Sequence, residues 1–408
     1  MGKCYRILVI SHMYPSYADG AYGIFVHKQV LELIKQGCDV RVIRPVPWIP
    51  FPISLYVKKW QKKFTKVNDI SNIDGVEVYY PEYFALPKGI MIEYSGFIVN
   101  WCIKKLVKEI YRDFKFDIIH SHVVLPGGFA GMKLKEDFNN KPLVVTIHGQ
   151  DLQKTINKNS RCSKAIKQVF QKGNIIITVS SKLKEIAEKK MGYANKIKVI
   201  NNGIDPKDVF VKNGSENRNC YNRSEDIVIL SVSNLFKSKG IDINIKAISK
   251  IIRKNKKIKY YIIGDGPEEA TLRSLSKSLG LDQNVFFLGR LPHDEVMKYM
   301  ANTDIFSLPS WEEGFGVVYL EAISFGKPVI ACQGEGIIDV IKHGETGILV
   351  KPHDIDDLAS KLNLLINEPE LAKTIGENAR ELVLASYTWE QNAKKTIAVY
   401  EEVLGENS

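Results

Sequence analysis

The stretch from Ser310 to Gly326, S-W-E-E-G-F-G-V-V-Y-L-E-A-I-S-F-G, constrains the fold of this chain more than any other. A mostly apolar run, Asp304 to Leu308, leads into it, and Pro309-Ser310 ends that run, so a short buried strand opens into a loop. Beyond the loop Val317, Val318, Leu320, Ile323 and Phe325 give a helix with one broad apolar face, stopped by Gly326 and Lys327-Pro328. Two acids are thereby separated, Glu313 in the loop and Glu321 in the helix. Gly314 and Gly316 let the backbone approach a ligand where the unpaired N–H groups of a helix start favour phosphate. Carboxylates beside such a site accept hydrogen bonds from sugar and ribose hydroxyls. A loop acid and a solvated helix acid would be the plain reading of an isolated pair; the strand end, two glycines and helix start argue against it here.

The same strand, loop and helix recur along the chain. Ile7 to Ile10 is a strand, Gly20 and Gly23 lie in the loop after it, a helix runs from about Ile24 to Lys35, and Val40 to Ile43 is the next strand: a βαβ crossover, which implies a parallel sheet. Phe116 to His122 delivers His120 and His122 to a strand end, and Leu143 to Gly149 does the same for His148. Ligands bind at such ends in open α/β sheets, so the three histidines are expected to line a cleft, His120 and His122 on its acceptor side. His120 and His122 have no third ligand nearby and are not read as a metal pair. Ser180 or Ser181 caps a further helix. After a polar linker at residues 211–226 the pattern restarts with the strand Ile227 to Val232 and S-N-L-F-K-S-K-G, where Lys237 and Lys239 stand at a helix start, placed to neutralise a diphosphate. Strands follow at Tyr260 to Ile263 and Val285 to Leu288. Asp354-Ile355-Asp356 spells a D-x-D metal motif, but it heads a helix, where capping explains it. Two α/β halves with ligand-type loops put a cleft between two doubly wound domains.

At 408 residues the chain is long enough for two full cores. Its net charge of +11 is uneven: residues 1–200 carry 32 basic and 16 acidic side chains, the remainder 25 and 30. Recognisable nucleic-acid modules are absent from the sequence, so no nucleic-acid partner is expected; an anionic membrane surface or an anionic, lipid-linked substrate fits the asymmetry, as does a solvated basic face. Lys58, Lys59, Lys62 and Lys63 interleave with Tyr56, Trp60 and Phe64 after a proline-rich run that excludes a central strand, giving either a membrane-surface or acceptor-docking segment or a long loop packed on its own aromatics. Gly89 to Val107, interrupted by Glu93, Asn100, Lys104 and Lys105, reads as an amphipathic helix. Scattered cysteines and an N-terminus that opens straight into a strand point to a reduced, cytoplasmic protein, working at the inner face of the membrane if the basic half meets lipid.

The Ser310–Gly326 stretch with Gly326-Lys327-Pro328-Val329, Asn202-Gly203-Ile204-Asp205, Lys239-Gly240 and Gly264-Asp265-Gly266-Pro267 resembles the retaining glycosyltransferases of family four, which have the GT-B fold. Ser11 to Ser16, Tyr22 to Gln29 and Gly334 to Asp339 further resemble the teichuronic acid and exopolysaccharide branch. The resemblance implies an acceptor-binding domain over 1–204, a nucleotide-sugar-binding domain over 205–388, and a C-terminal helix, 389–408, crossing back to the first. It implies a nucleoside-diphosphate sugar, with a lean to UDP, transferred with retention to a lipid-linked or growing polysaccharide acceptor, without metal or further cofactor. Glu321 would bind ribose, Glu313 the donor sugar and Lys239 the diphosphate. The amides of Gly314, Phe315 and Gly316 would lie near the sugar or phosphates, the backbone around Arg290 would meet the base, Gly23 would close over the phosphates, and His148 would face the sugar. One departure stands out: where most members carry a basic residue, this chain has Asn234, which donates hydrogen bonds but offsets no charge, leaving Lys237 or Arg290 as substitutes. Two other classes are compatible with the sequence: a sugar-nucleotide epimerase of GT-B-like fold, and a non-catalytic sugar-nucleotide-binding subunit.

Overall fold

The computed structural model describes residues 4–16, 20–50, 69–207, 226–252 and 257–405. Lys58, Lys59, Lys62 and Lys63, and nearly all of the polar stretch 211–226, lie outside the described residues. The chain divides into two compact units, Met1–Asn201 with Trp389–Ser408, and Asn202–Thr388.

The first unit is built on an eight-stranded sheet. Its strands are β1 (Arg6–Ile10), β2 (Asp39–Ile43), β4 (Ile70–Ile73), β5 (Val76–Tyr79), β7 (Ile118–His122), β8 (Leu143–Ile147), β9 (Ile175–Thr178) and β10 (Ile197–Val199), while β3 (Val46–Trp48) and β6 (Glu82–Phe84) pair separately. The order is β10-β9-β8-β7-β1-β2-β5-β4, parallel except for the edge strand β4. Alternate residues of β1 feed two cores: Leu8 and Ile10 face one, Ile7 and Val9 the other. A sheet covered on both faces needs near-continuous apolar strands, which β8 and β9 supply. The helix Trp389–Gly405 closes the second of these cores with Ala393, Val399, Tyr400 and Val403, beside the helix Ile24–Lys35. Gln29 Nε2 donates to Asn392 Oδ1 at 2.6 Å and Asn392 Nδ2 to the carbonyl of Asn201 at 2.8 Å, so the returning helix is fixed by buried polar bonds as well as by apolar burial.

The second unit is a six-stranded parallel sheet of β11 (Ile227–Val232), β12 (Ile258–Ile263), β13 (Val285–Gly289), β14 (Ile305–Leu308), β15 (Val329–Cys332) and β16 (Ile348–Val350). Its order, β13-β12-β11-β14-β15-β16, reverses direction between β11 and β14. Open α/β sheets hold ligands outside the carboxyl ends of the strands at that reversal. A buried polar knot ties the two strands to their neighbours. Asn244 Nδ2 donates to Tyr260 OH at 3.1 Å and to the Ser307 carbonyl at 3.0 Å, while Ser307 Oγ donates to Asn244 Oδ1 at 2.7 Å. Asn244, fully buried, uses both ends of its amide, so the knot adds rigidity without an unsatisfied group.

Among the described residues no helix is long and apolar enough to cross a membrane. The amphipathic stretch expected near Gly89 is the helix Ile92–Asp113, which buries Ser95, Gly96, Val99, Ile103, Val107 and Ile110. Asp354 caps the helix Ile355–Asn367, its carboxylate accepting from Asp357 N. Ser180, rather than Ser181, caps the helix Ser181–Met191.

Candidate active site

In the second unit the loops after β11, β12, β13 and β14 converge on one cavity of about 370 Å³. Asn234 and Lys239 come from the first loop, Gly264 and Asp265 from the second, Arg290 from the third and Glu313 from the fourth; Val317, Val318 and Glu321 enter from the helix Val317–Ser324. The backbone is drawn unusually tight around it. Gly264 has φ +133°, and a Cβ there would lie 1.8 Å from the Ser233 carbonyl oxygen; at Gly240, φ +68°, it would lie 2.4 Å from that of Pro309. Only glycine permits these approaches; the first sets the turn after β12 against the loop bearing Asn234, and the second sets the Lys239 end of that loop against the strand end leading to Glu313. Trp311 N donates to the Ser238 carbonyl at 2.8 Å and Ser310 Oγ to the same oxygen at 3.1 Å.

The Lys239 ammonium and the Glu313 carboxylate are ion-paired inside this cavity, both mostly buried. Ser310 Oγ donates to Glu313 Oε2 at 3.2 Å, and Glu335, itself buried, accepts the Glu313 backbone N–H at 2.7 Å. Glu321 Oε1 lies 3.0 Å from His293 Nε2. Arg290 is exposed and has no acidic partner among the described residues. The cavity thus offers two cations, Lys239 and Arg290, three carboxylates, Asp265, Glu313 and Glu321, and a helix N-terminus at a sheet reversal, a set suited to a phosphorylated, polyhydroxylated ligand.

Several expectations need correction. Val317 and Val318 do not join the buried face of their helix, which is Tyr319, Leu320, Ala322, Ile323 and Ser324; they line the cavity instead. Phe315 is buried, so only its backbone is available to a ligand. Lys237 faces a separate hollow beside Phe236 and Glu268, which removes it as a substitute for the missing base at Asn234 and leaves Arg290. Glu335 and His293 were not singled out as site residues. The loop of Glu335 carries no chemical signal in the sequence, and His293, five residues beyond the end of its strand's apolar run, reads as an ordinary helix start.

In the first unit the corresponding reversal lies between β1 and β7, and the ends of β7 and its neighbour β8 bring two histidines together. His122 Nδ1 and His148 Nε2 lie 3.1 Å apart, their rings stacked with centroids at 5.4 Å. His122 Nε2 and His148 Nδ1 are both covered and have no hydrogen-bond partner among the described residues. Burial pushes the His148 pKa down to about 3 and that of His122 well below the usual range, so both rings are neutral. The expected acceptor role of His120 fails on geometry. It is fully buried, its Nδ1 lies 2.7 Å from Tyr400 OH and its Nε2 2.8 Å from Thr146 Oγ1, so neither ring nitrogen is left for a substrate. His120 instead fastens the C-terminal helix to the sheet. Gly23, at φ +75°, packs where a Cβ would meet the Met13 carbonyl carbon at 2.3 Å, which fixes the loop after β1 against the start of the helix Ile24–Lys35. Among the described residues no group of three or more His, Cys, Asp or Glu is arranged to hold a metal ion.

Comparison with known proteins agrees with this geometry. The family described as "Glycosyltransferase Family 4" matches residues 23–208, and that described as "Glycosyl transferases group 1" matches residues 215–382. A putative teichuronic acid biosynthesis glycosyltransferase, TuaC of Bacillus subtilis, is 28% identical over 403 residues, 98% of each chain. An uncharacterized glycosyltransferase of Haemophilus influenzae is 31% identical over 326 residues, covering 78% of this chain and 82% of its own. Among solved structures, the sucrose-phosphate synthase of Thermosynechococcus elongatus superposes with a TM-score of 0.81 at 21% identity, covering 98% of this chain and all of that one, and Anabaena HepE in complex with UDP with a TM-score of 0.73 at 18% identity and the same coverage.

Proposed function

The chain belongs to the GT-B glycosyltransferases, with a family-four unit followed by a group 1 unit, and from that premise we propose that it transfers a sugar from a UDP-linked donor to a lipid-linked or growing polysaccharide acceptor, with retention at the anomeric carbon. One observation carries the donor half of this reading. Lys239, Arg290, Glu313 and Glu321 all line a single cavity at the sheet reversal of the second unit. In this reading Glu321 takes the ribose hydroxyls, Glu313 the hydroxyls of the donor sugar, and Lys239, with the N-terminus of the helix Val317–Ser324, the diphosphate. Gly314, Phe315 and Gly316 contribute backbone amides, and Arg290 stands where Asn234 offers no charge.

The reaction breaks the bond between the anomeric carbon and the diphosphate oxygen and forms one to the acceptor oxygen on the same face. The acceptor proton passes to the departing phosphate. Charge accumulates on the leaving diphosphate, so fixed cations and amides there lower the barrier most. In this reading those groups do the work of a metal, and the donor is the sole co-substrate besides the acceptor. The neutral pair His122 and His148 belongs to the acceptor's unit, where an uncharged imidazole accepts or donates a hydrogen bond to a sugar hydroxyl without adding charge. The relatedness to a teichuronic acid enzyme and the basic first half support an anionic, membrane-associated acceptor and work at the inner face of the membrane.

Thermal unfolding with candidate nucleotides and nucleotide sugars is the direct test, since a ligand at about a hundred times its Kd adds about 2.7 kcal/mol of stability. Stabilisation by UDP and by one UDP-sugar is expected; none by any nucleotide would refute the donor assignment. Proton NMR of the product formed on a lipid-linked acceptor then reads the anomeric configuration, and inversion would refute retention.

A further inference from the structure

The helix Ile92–Asp113 turns a face to solvent that a solvated helix does not need. Phe97 is 60% exposed and Trp101 76%, with Tyr94 at 40% and, just before the helix, Ile90 at 56% and Met91 at 44%. Tyr94, Phe97, Trp101, Lys105, Lys108 and Arg112 follow one another at intervals of three or four residues, so at 3.6 residues per turn all six fall within an arc of about 80°. The stripe is aromatic over its first half and cationic over its second. Lys105 is almost fully exposed and, among the described residues, pairs with Glu109 alone, at 4.0 Å; Lys108 and Arg112 are exposed and have no ion-pair partner among those residues. Beside the aromatic half, Arg161 Nη1 donates to Tyr94 OH at 2.9 Å.

Near the start of this helix, Ile90, Met91, Ser95 and Ile98 line a largely apolar hollow of about 210 Å³ together with His12 and Leu125.

We infer that the Tyr94–Phe97–Trp101 and Lys105–Lys108–Arg112 stripe is a membrane-docking surface for an anionic bilayer. Aromatic rings settle at the level of the headgroups with their apolar bodies toward the acyl chains, and basic side chains next to them meet lipid phosphates. The order along the helix commits the choice of occupant: a protein partner would leave three cations facing its rim, whereas an anionic lipid surface pairs with all three while the aromatics enter it. The inference deepens the acceptor reading above and rests on it for the lipid nature of the acceptor. Vesicle binding is measured without donor or acceptor, so the two fail separately.

The test is flotation of the full chain with phosphatidylglycerol vesicles and with phosphatidylcholine vesicles. Binding to the first and little to the second is expected. Each basic residue near an anionic surface is worth about 1 kcal/mol, or about fivefold in partition, so Lys105→Gln/Lys108→Gln is expected to weaken binding roughly thirtyfold. Phe97→Ser/Trp101→Ser, at exposed positions, is expected to abolish flotation while leaving the thermal shift by UDP unchanged. Unaltered flotation of both double variants would overturn the assignment. So would equal binding to the two vesicle types, or a wild-type chain that does not float and sediments as a dimer that Phe97→Ser/Trp101→Ser makes monomeric.

Discussion

Lys239 is ion-paired to Glu313 inside the cavity, and the pair is held from behind by Ser310 and Glu335. The two side chains proposed to receive the diphosphate and the donor sugar therefore neutralise each other. Lys239→Ala is expected to lower kcat by about a hundredfold or more, the usual loss for one preorganised charge stabiliser. Glu313→Gln separates binding from chemistry. It frees Lys239 from its partner, so UDP is expected to bind as tightly as before or more tightly while transfer falls. Calorimetry with UDP beside initial rates checks both, and near-normal turnover in Lys239→Ala would contradict the assignment.

Asn234 is exposed at the cavity wall and brings no charge to it. If the leaving diphosphate is under-stabilised, Asn234→Arg should raise kcat by about tenfold, less than the hundredfold lost on removing a preorganised group because the new side chain has no supporting contacts. Arg290→Ala should then matter less in the Asn234→Arg background than in the wild type. Equal effects of Arg290→Ala in both backgrounds would show that the two positions do not serve the same phosphate.

Much of this was legible from the chain, for identifiable reasons. A parallel sheet covered on both faces writes itself as apolar runs ended by glycine or serine, so β1, β7, β8, β11 and β14 could be placed, as could the loop and helix positions of Glu313 and Glu321. The same rule hid the role of His120. In Ile118-Ile119-His120-Ser121-His122 no face is solvated, and it takes the Thr146 hydroxyl on the next strand and the Tyr400 hydroxyl, 280 residues away, to show that His120 is saturated inside the core. Asn244 was equally opaque, because a polar residue on a helix reads as solvent-facing until its partners on neighbouring strands are known. Edge strands such as β4, Ile70–Ile73, which among the described residues has a neighbouring strand on one side, lack the apolar run of a central strand.

The buried histidines make stability fall in acid. Burial brings the His120 pKa from an unfolded value near 6.5 to about 3 and also holds that of His122 well below the usual range. Their contribution is whole above the unfolded value and is lost as pH falls from there toward the folded values. Asp151 opposes them: burial raises its carboxyl from 3.8 to about 7, so its contribution is whole below the unfolded value and is lost as pH rises through the folded one. Between roughly pH 6 and pH 5 the protons that His12, His120, His122 and His148 gain on unfolding outnumber the one that Asp151 releases, so stability falls as pH falls. Asp151→Asn removes the opposing proton and should steepen the slope by about a third. Denaturant titrations across this window measure both chains, and a stability that does not fall in acid would contradict neutral buried histidines.

Glu321 is where binding and stability separate most cleanly. Its carboxylate lies 3.0 Å from His293 Nε2, and His293 is 58% exposed, so this pair contributes at most about 1 kcal/mol to folding. His293→Ala should leave the melting temperature and UDP affinity nearly unchanged, or tighten UDP slightly by releasing a competitor for the carboxylate. Glu321→Ala is different if the carboxylate anchors ribose. Hydrogen bonds to a charged acceptor are worth about 1.5–3 kcal/mol, so UDP affinity should fall by about ten- to a hundredfold, with kcat at saturating donor largely kept. Pyrophosphate has no ribose, and calorimetry should find that it binds the wild type and Glu321→Ala alike. A parallel loss of pyrophosphate binding would mean that Glu321 shapes the cavity as a whole rather than reading the ribose.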